Sequence, residues 1–190
     1  MNAVTETLSD WRDSIVDFLP AGGIARPLGV VLGVYVLVTV ILGVYWSMSP
    51  SEFDVQERAA AYAVEDGGSV VTGSVTTGAL MGVVETLLEK PGGFIHNDIF
   101  PPGLWLDNMP NWEYGVIVQV RDLARSMREV HSRSQSQSLE DPDLALAEPR
   151  FNFNTESWMF PASESEYRDG LNYTRNYFRR LSDVQESNAQ

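Results

Sequence analysis

The stretch LGVVLGVYVLVTVILGVYWSM, residues 28–48, is apolar almost throughout, and no charged residue lies between Arg26 and Glu52. At a rise of about 1.5 Å per residue a helix of this length spans the roughly 30 Å hydrocarbon layer of a bilayer. Core helices of soluble proteins seldom run so far without a charge. Tyr45 and Trp46 stand at the far end of the run, where amphipathic rings favour the headgroup level. A cleaved signal peptide fits less well: the region before the run is long and acidic, the run is too long for an h-region, and no A-x-A-like site follows. The expected organisation is an amphipathic segment at 1–26, a transmembrane signal anchor at 27–48, and a helical soluble domain at 49–190. Arg12 and Arg26 precede the span and Arg58 follows it, so the positive-inside rule places the N-terminus in the cytoplasm and the domain in the periplasm. Gly29 and Gly33 form a G-x-x-x-G pair that lets two such helices approach, which makes a homo-oligomer one expectation.

Ahead of the span, Val4, Leu8, Trp11, Ile15 and Phe18 recur at helical spacing, with Asp10, Asp13 and Asp17 on other faces. An acidic polar face is wrong for anionic lipid, so packing on a partner competes with lying on the membrane. The whole chain has 26 acidic and 13 basic residues, a formal net charge of −13. Nucleic-acid binding needs a cationic footprint, and none exists. Acidity of this degree reads first as solubility and self-repulsion. Without a cysteine there is no disulfide framework, thiolate metal site or cysteine nucleophile.

The segment beyond the span reads as mainly α, a small bundle-like domain with long irregular loops. Ser51 and Asp54 predict a capping box opening a helix over 52–64, which Gly67 and Gly68 end. Leu80, Val83, Val84, Leu87 and Leu88 predict the buried stripe of a helix over 77–89. Pro91, Gly92 and Gly93 stop it, and residues 94–115 read as an irregular loop rich in aromatics. A helix is expected from Asn111 or Trp112, carrying Val116, Val120, Leu123, Met127 and Val130. Residues 131–143 read as a mobile polar loop, and Phe151–Asn154 and Trp158–Pro161 as extended. Ser163 and Glu166 predict a second capping box, before a helix with Tyr167, Leu171, Thr174, Phe178 and Leu181 on one face. The two heptad-like seams suggest an antiparallel pair or bundle crossing near 20°. The last helix has no closing domain behind it, so a chain stopping early at its C-terminus is expected.

Long irregular loops are uncommon unless functional or packed by their own side chains, which singles out residues 94–114 as the recognition surface. Aromatic and arginine side chains dominate interface energies, so Phe100, Trp105, Trp112 and Arg121 are the candidate partner contacts. The competing reading is an envelope enzyme or glycan binder, with Asp98, Asp107 or Glu113 beside Trp105 and Trp112. His96 and Asp98, with Glu85 and Glu89, could supply metal ligands, but convergence of three or four is required, and no metal or cofactor is expected. No P-loop, Rossmann fingerprint or G-x-S-x-G is present.

At LLEKPGGF (87–94), NDIFPPG (97–103), LDNMPNWEYG (106–115), VRDLARSMR and SRSQSQSLEDPDLALAEPRFNF, the chain resembles a bacterial family, the domain of unknown function 2333. The resemblance covers most of the chain after the span. It implies an envelope-associated protein of Gram-negative bacteria with one N-terminal membrane helix, in members longer than this chain, and it brings no catalytic residues. Together these readings lead to one expectation. The protein is a single-pass inner-membrane protein, anchored in lipid, that serves as a protein-interaction or scaffold component of the envelope.

Overall fold

The run that opens the chain's apolar half folds into one helix, α1 (Ala25–Trp46), in the computed structural model, which describes residues 25–131 and 140–183. Its Val, Leu and Ile side chains are exposed around nearly the whole circumference. The Thr39 hydroxyl is satisfied within the helix, donating to the Tyr35 carbonyl at 2.8 Å. By length and composition Arg26–Trp46 is able to cross a membrane, compatible with a single-pass anchor or a signal sequence. The helix ends two residues before the expected boundary, in a turn where the Met48 amide donates to the Tyr45 carbonyl at 3.3 Å. The amphipathic pattern of residues 4–18 lies outside the described residues.

The chain divides into two units, residues 1–44 and 45–190. Among the described residues of the second, five helices follow: α2 (Val55–Glu65), α3 (Ser74–Glu89), α4 (Asn108–His131), α5 (Pro142–Phe151) and α6 (Ser163–Ser182), with a 3₁₀ turn at Gly103–Trp105. No strand occurs among the described residues. The expected buried stripes hold on α3 and α6, where Leu80, Val84, Leu87, Tyr167, Leu171 and Phe178 all enter one core. That core also takes Ile117, Val120 and Met127 from α4. The two heptad-like seams do not close on each other, however. Both α4 and α6 pack against α3 and α5 instead.

Helix α5 begins inside the loop expected over 131–143 and ends on Phe151, the first residue of the stretch expected to be extended. Asp141 caps it, accepting from the Asp143 and Leu144 amides at 2.9 and 3.1 Å, and Pro142 occupies the first turn, where no amide donor is required. Leu144, Ala147 and Phe151 form its buried stripe. Gly170 of α6 permits the contact: a Cβ there would lie 2.8 Å from the Phe151 ring. Arg180 of α6 pairs with Asp141 at 2.7 Å and also with Asp143, and Arg150 pairs with Glu166 at 2.5 Å.

Both expected capping boxes resolve differently. Asp54 is itself the cap of α2, accepting from Gln56 and Glu57 amides at 2.8 and 2.9 Å. At α6 the cap position is Ala162. The Ser163 hydroxyl turns back to donate to the Asn154 and Ser157 carbonyls, and Glu166 is taken by Arg150. The short turn at 154–157 leaves carbonyls that need donors, and this demand outcompetes the local cap.

Candidate docking surface

The loop between α3 and α4 runs from Lys90 to Asp107, shorter than expected because α4 begins at Asn108 and takes in Trp112 and Tyr114. Pro110 is tolerated because it sits in the first turn of that helix. The loop opens on Gly92 and Gly93, at φ 88° and 69°, values that L side chains adopt only under strain. This turn folds Lys90 inward. Its ammonium lies 2.5 Å from a Glu113 carboxylate oxygen and 2.5 Å from the Gly93 carbonyl, with both side chains fully removed from solvent. Glu113 also accepts from the Ile95 amide at 3.0 Å and the His96 amide at 2.7 Å. Burial pushes the Glu113 carboxyl upward from its ordinary range, while the Lys90 ammonium and the two amides favour its ionised form.

These bonds fix the loop from beneath. The His96 ring donates through Nδ1 to the Pro110 carbonyl at 3.0 Å and stacks on Tyr114, ring centroids 5.7 Å apart. Phe94 packs edge-on against Tyr167 in the core. Further along, the Asn97 amide nitrogen donates to the Ser157 carbonyl at 2.7 Å and to Glu164 at 3.0 Å, joining the loop to the segment before α6. The joined loops hold Phe100, Leu104 and Trp105 on one side and Trp158, Met159 and Phe160 on the other, all exposed. Phe160 is fully so, and Phe100 is 71% exposed.

Between them lies a cavity of about 290 Å³. Its walls include the Trp46, Phe100 and Trp158 rings, and its polar groups are Asn97, Asp98 and Glu164. Asn97 Oδ1 is buried and has no hydrogen-bond partner among the described residues. Burial pushes the Asp98 carboxyl up, the nearby Glu164 charge adds to this, and Lys90 opposes it. Trp46 also packs on the glycine turn, where a Cβ on Gly92 would lie 2.8 Å from its indole.

The four expected contacts therefore separate. Phe100 and Trp105 share this surface. Trp112 is half-buried and lines another cavity, of about 460 Å³, with Phe53, Met109 and Val116. Arg121 is a structural clamp: its guanidinium donates to the Phe151 and Phe153 carbonyls at 2.8 and 2.7 Å, holding the end of α5. On α1, a Cβ added to Gly33 would meet nothing within 4 Å.

Of the carboxylates weighed for glycan chemistry, Glu113 is sealed in the Lys90 pair and Asp107 is not part of the cavity. Asp98 alone lines it. Glu85 accepts a hydrogen bond from the Tyr62 hydroxyl and pairs with Arg175 at 2.8 Å, so it is engaged away from Asp98. Trp158, Phe160 and Glu164 are not legible in the sequence as site residues, the first two reading only as part of an extended run. The run Trp158–Pro161 was a visible signal, but nothing local announces that it meets a loop about 60 residues earlier through Asn97.

A family model described as an uncharacterized protein conserved in bacteria, DUF2333, matches residues 20–190. No curated protein and no solved structure matches the chain.

Proposed function

The chain belongs to the DUF2333 family of bacterial proteins, and from that premise we propose that it is a membrane-anchored, non-enzymatic component of the cell envelope whose 45–190 domain docks a partner protein. The anchor reading is supported by the exposed Val, Leu and Ile of α1, an apolar surface too continuous to leave in water. The arginine balance around the span supports an inner-membrane, N-in orientation with the domain in the periplasm.

One observation carries the docking reading. Six large apolar side chains, Phe100, Leu104, Trp105, Trp158, Met159 and Phe160, are exposed together on two loops joined at Asn97 and fixed from beneath by buried hydrogen bonds. Rigid aromatic anchors of this kind lose little conformational entropy on binding and dominate interface energies. The net charge of −13 favours a partner with a cationic contacting face.

The cavity around Asp98 also bears on the glycan alternative. Sugar hydroxyls present donors and acceptors together. The Asn97, Asp98 and Glu164 oxygens are all acceptors, and the Asn97 amide donors are already used. Apart from the two indoles, no side chain in this wall is placed to donate to a sugar. The surface thus fits a partner protein better.

Trp105→Ala is expected to abolish co-purification of the partner in mild detergent, at least tenfold or about 1.4 kcal/mol. Helical content by circular dichroism should be unchanged, because Trp105 is 59% exposed. Retention of the partner at wild-type level overturns the choice of surface.

A further inference from the structure

The cavity between the two exposed loops has a chemistry more specific than apolar docking. Its side walls are aromatic (Trp46, Phe100 and Trp158) and its polar side chains are Asn97, Asp98 and Glu164. Among the described residues no cation pairs with Asp98 or Glu164, since Lys90, the cation that acts on Asp98, is committed to Glu113. Asn97 adds a second, independent observation. Its Nδ2 is held by the Ser157 carbonyl and by Glu164, which fixes the sense of the amide and leaves Oδ1 buried without a donor. Such an acceptor costs free energy unless something supplies a hydrogen. The cavity wall thus combines two carboxylates, three aromatic side chains and a buried, unfilled amide oxygen.

Resting on the docking reading above, we propose that this cavity receives a lysine side chain of the partner, its aliphatic stem lying between Trp46, Phe100 and Trp158 and its ammonium meeting Asp98 and Glu164. An ammonium offers three donors and no acceptor, matching oxygens that lack hydrogens. Aromatic faces attract a cation and bury its methylene stem. A guanidinium is a flat fork suited to bidentate pairing with one carboxylate, a poorer match to a small cavity whose acceptors belong to two separate carboxylates. An ethanolamine lipid headgroup also carries a primary ammonium. It brings a phosphate too, however, for which the wall provides no cation.

The experiment uses the full chain in phosphatidylcholine nanodiscs, titrated with Nα-acetyl-lysine methylamide while tryptophan fluorescence and heat are recorded. The norleucine analogue, which keeps the stem without the charge, is the control. Saturable binding of the lysine probe and none of the norleucine probe is expected. Asp98→Asn and Glu164→Gln should each weaken it by at least about tenfold, the effect expected on losing a charged partner of a desolvated cation. A merely structural carboxylate would lower the melting temperature when replaced. Here Asp98→Asn should raise it at neutral pH. Burial and Glu164 hold the folded-state pKa of Asp98 above its unfolded value, so the folded state binds the extra proton and ionisation costs stability as pH rises. The gain from Asp98→Asn should accordingly shrink on acidification.

Equal binding of the norleucine probe, or unchanged affinity in both carboxylate variants, overturns the proposal. So does disappearance of lysine-probe binding when phosphatidylethanolamine replaces phosphatidylcholine, which would give the cavity to the lipid. Failure of the lysine titration with Trp105→Ala still losing its partner leaves docking intact and removes only the lysine. Binding of the probe with partner capture unaffected by Trp105→Ala supports the cavity and removes the docking reading.

Discussion

Replacing Lys90 with Met is expected to destabilise the 45–190 domain by about 3–5 kcal/mol, the cost of leaving one member of a buried ion pair alone. Met matches the stem in volume, so the loss is electrostatic. Glu113 would then hold an unpaired charge in a site fully removed from solvent, with only the Ile95 and His96 amides beside it, or take up a proton to shed that charge; either costs stability. The double variant Lys90→Met with Glu113→Gln should recover much of the loss, because a neutral amide oxygen still accepts from those backbone groups. Chemical denaturation reads both effects. A Lys90→Met midpoint equal to wild type would mean that water reaches the pair. The pair matters beyond stability because it sets the base of the docking loop. Partner capture should fall with the unfolding of that loop and return in the double variant.

Phe151→Ala is expected to cost a similar amount, about 3–5 kcal/mol, through lost burial and the cavity left behind. Phe151 is fully buried at the end of α5 and lies against Gly170 of α6. Gly170→Ala alone should cost about 1–3 kcal/mol, since its new methyl would sit 2.8 Å from the ring. In the Phe151→Ala background the clash is gone and the same methyl fills space and favours helix, so Gly170→Ala should become stabilising. Thermal melts of the four proteins test this change of sign. Simple additivity would show that the two helices separate rather than pack at this point.

Periodicity in the sequence revealed what depends on local pattern. The apolar run was legible from its length and lack of charge, and the stripe of α3 and the face of α6 because burial there repeats at helical spacing. Helix α5 was not, although Leu144, Ala147 and Phe151 carry the spacing. Pro142 and Pro149 masked it, and only the Asp141 cap and the packing on Gly170 decide the matter. The capping boxes failed for a related reason: Ser163 and Glu166 have partners brought by the fold, the Asn154 and Ser157 carbonyls and Arg150, that outbid the local ones. At the docking surface, Phe100 and Trp105 could be found as aromatics in a proline-rich loop. Arg121 looked like an anchor by residue type, yet it spends its donors on two carbonyls of its own chain. Glu113 looked like a working acid until burial beside Lys90 was visible. The cavity itself was out of reach, because Trp46, Asn97 and Glu164 are far apart in sequence and meet only in the folded domain.

The most direct test of docking is photo-crosslinking in native membranes, with the reactive side chain placed at 105 or at 160 and, for reference, at Val64, exposed on α2. Positions 105 and 160 should yield the same discrete protein adduct, joined at a lysine-bearing segment and lost in a Trp158→Ala background, whereas position 64 should not. Adducts to lipid alone, or an adduct formed equally from position 64, would contradict it.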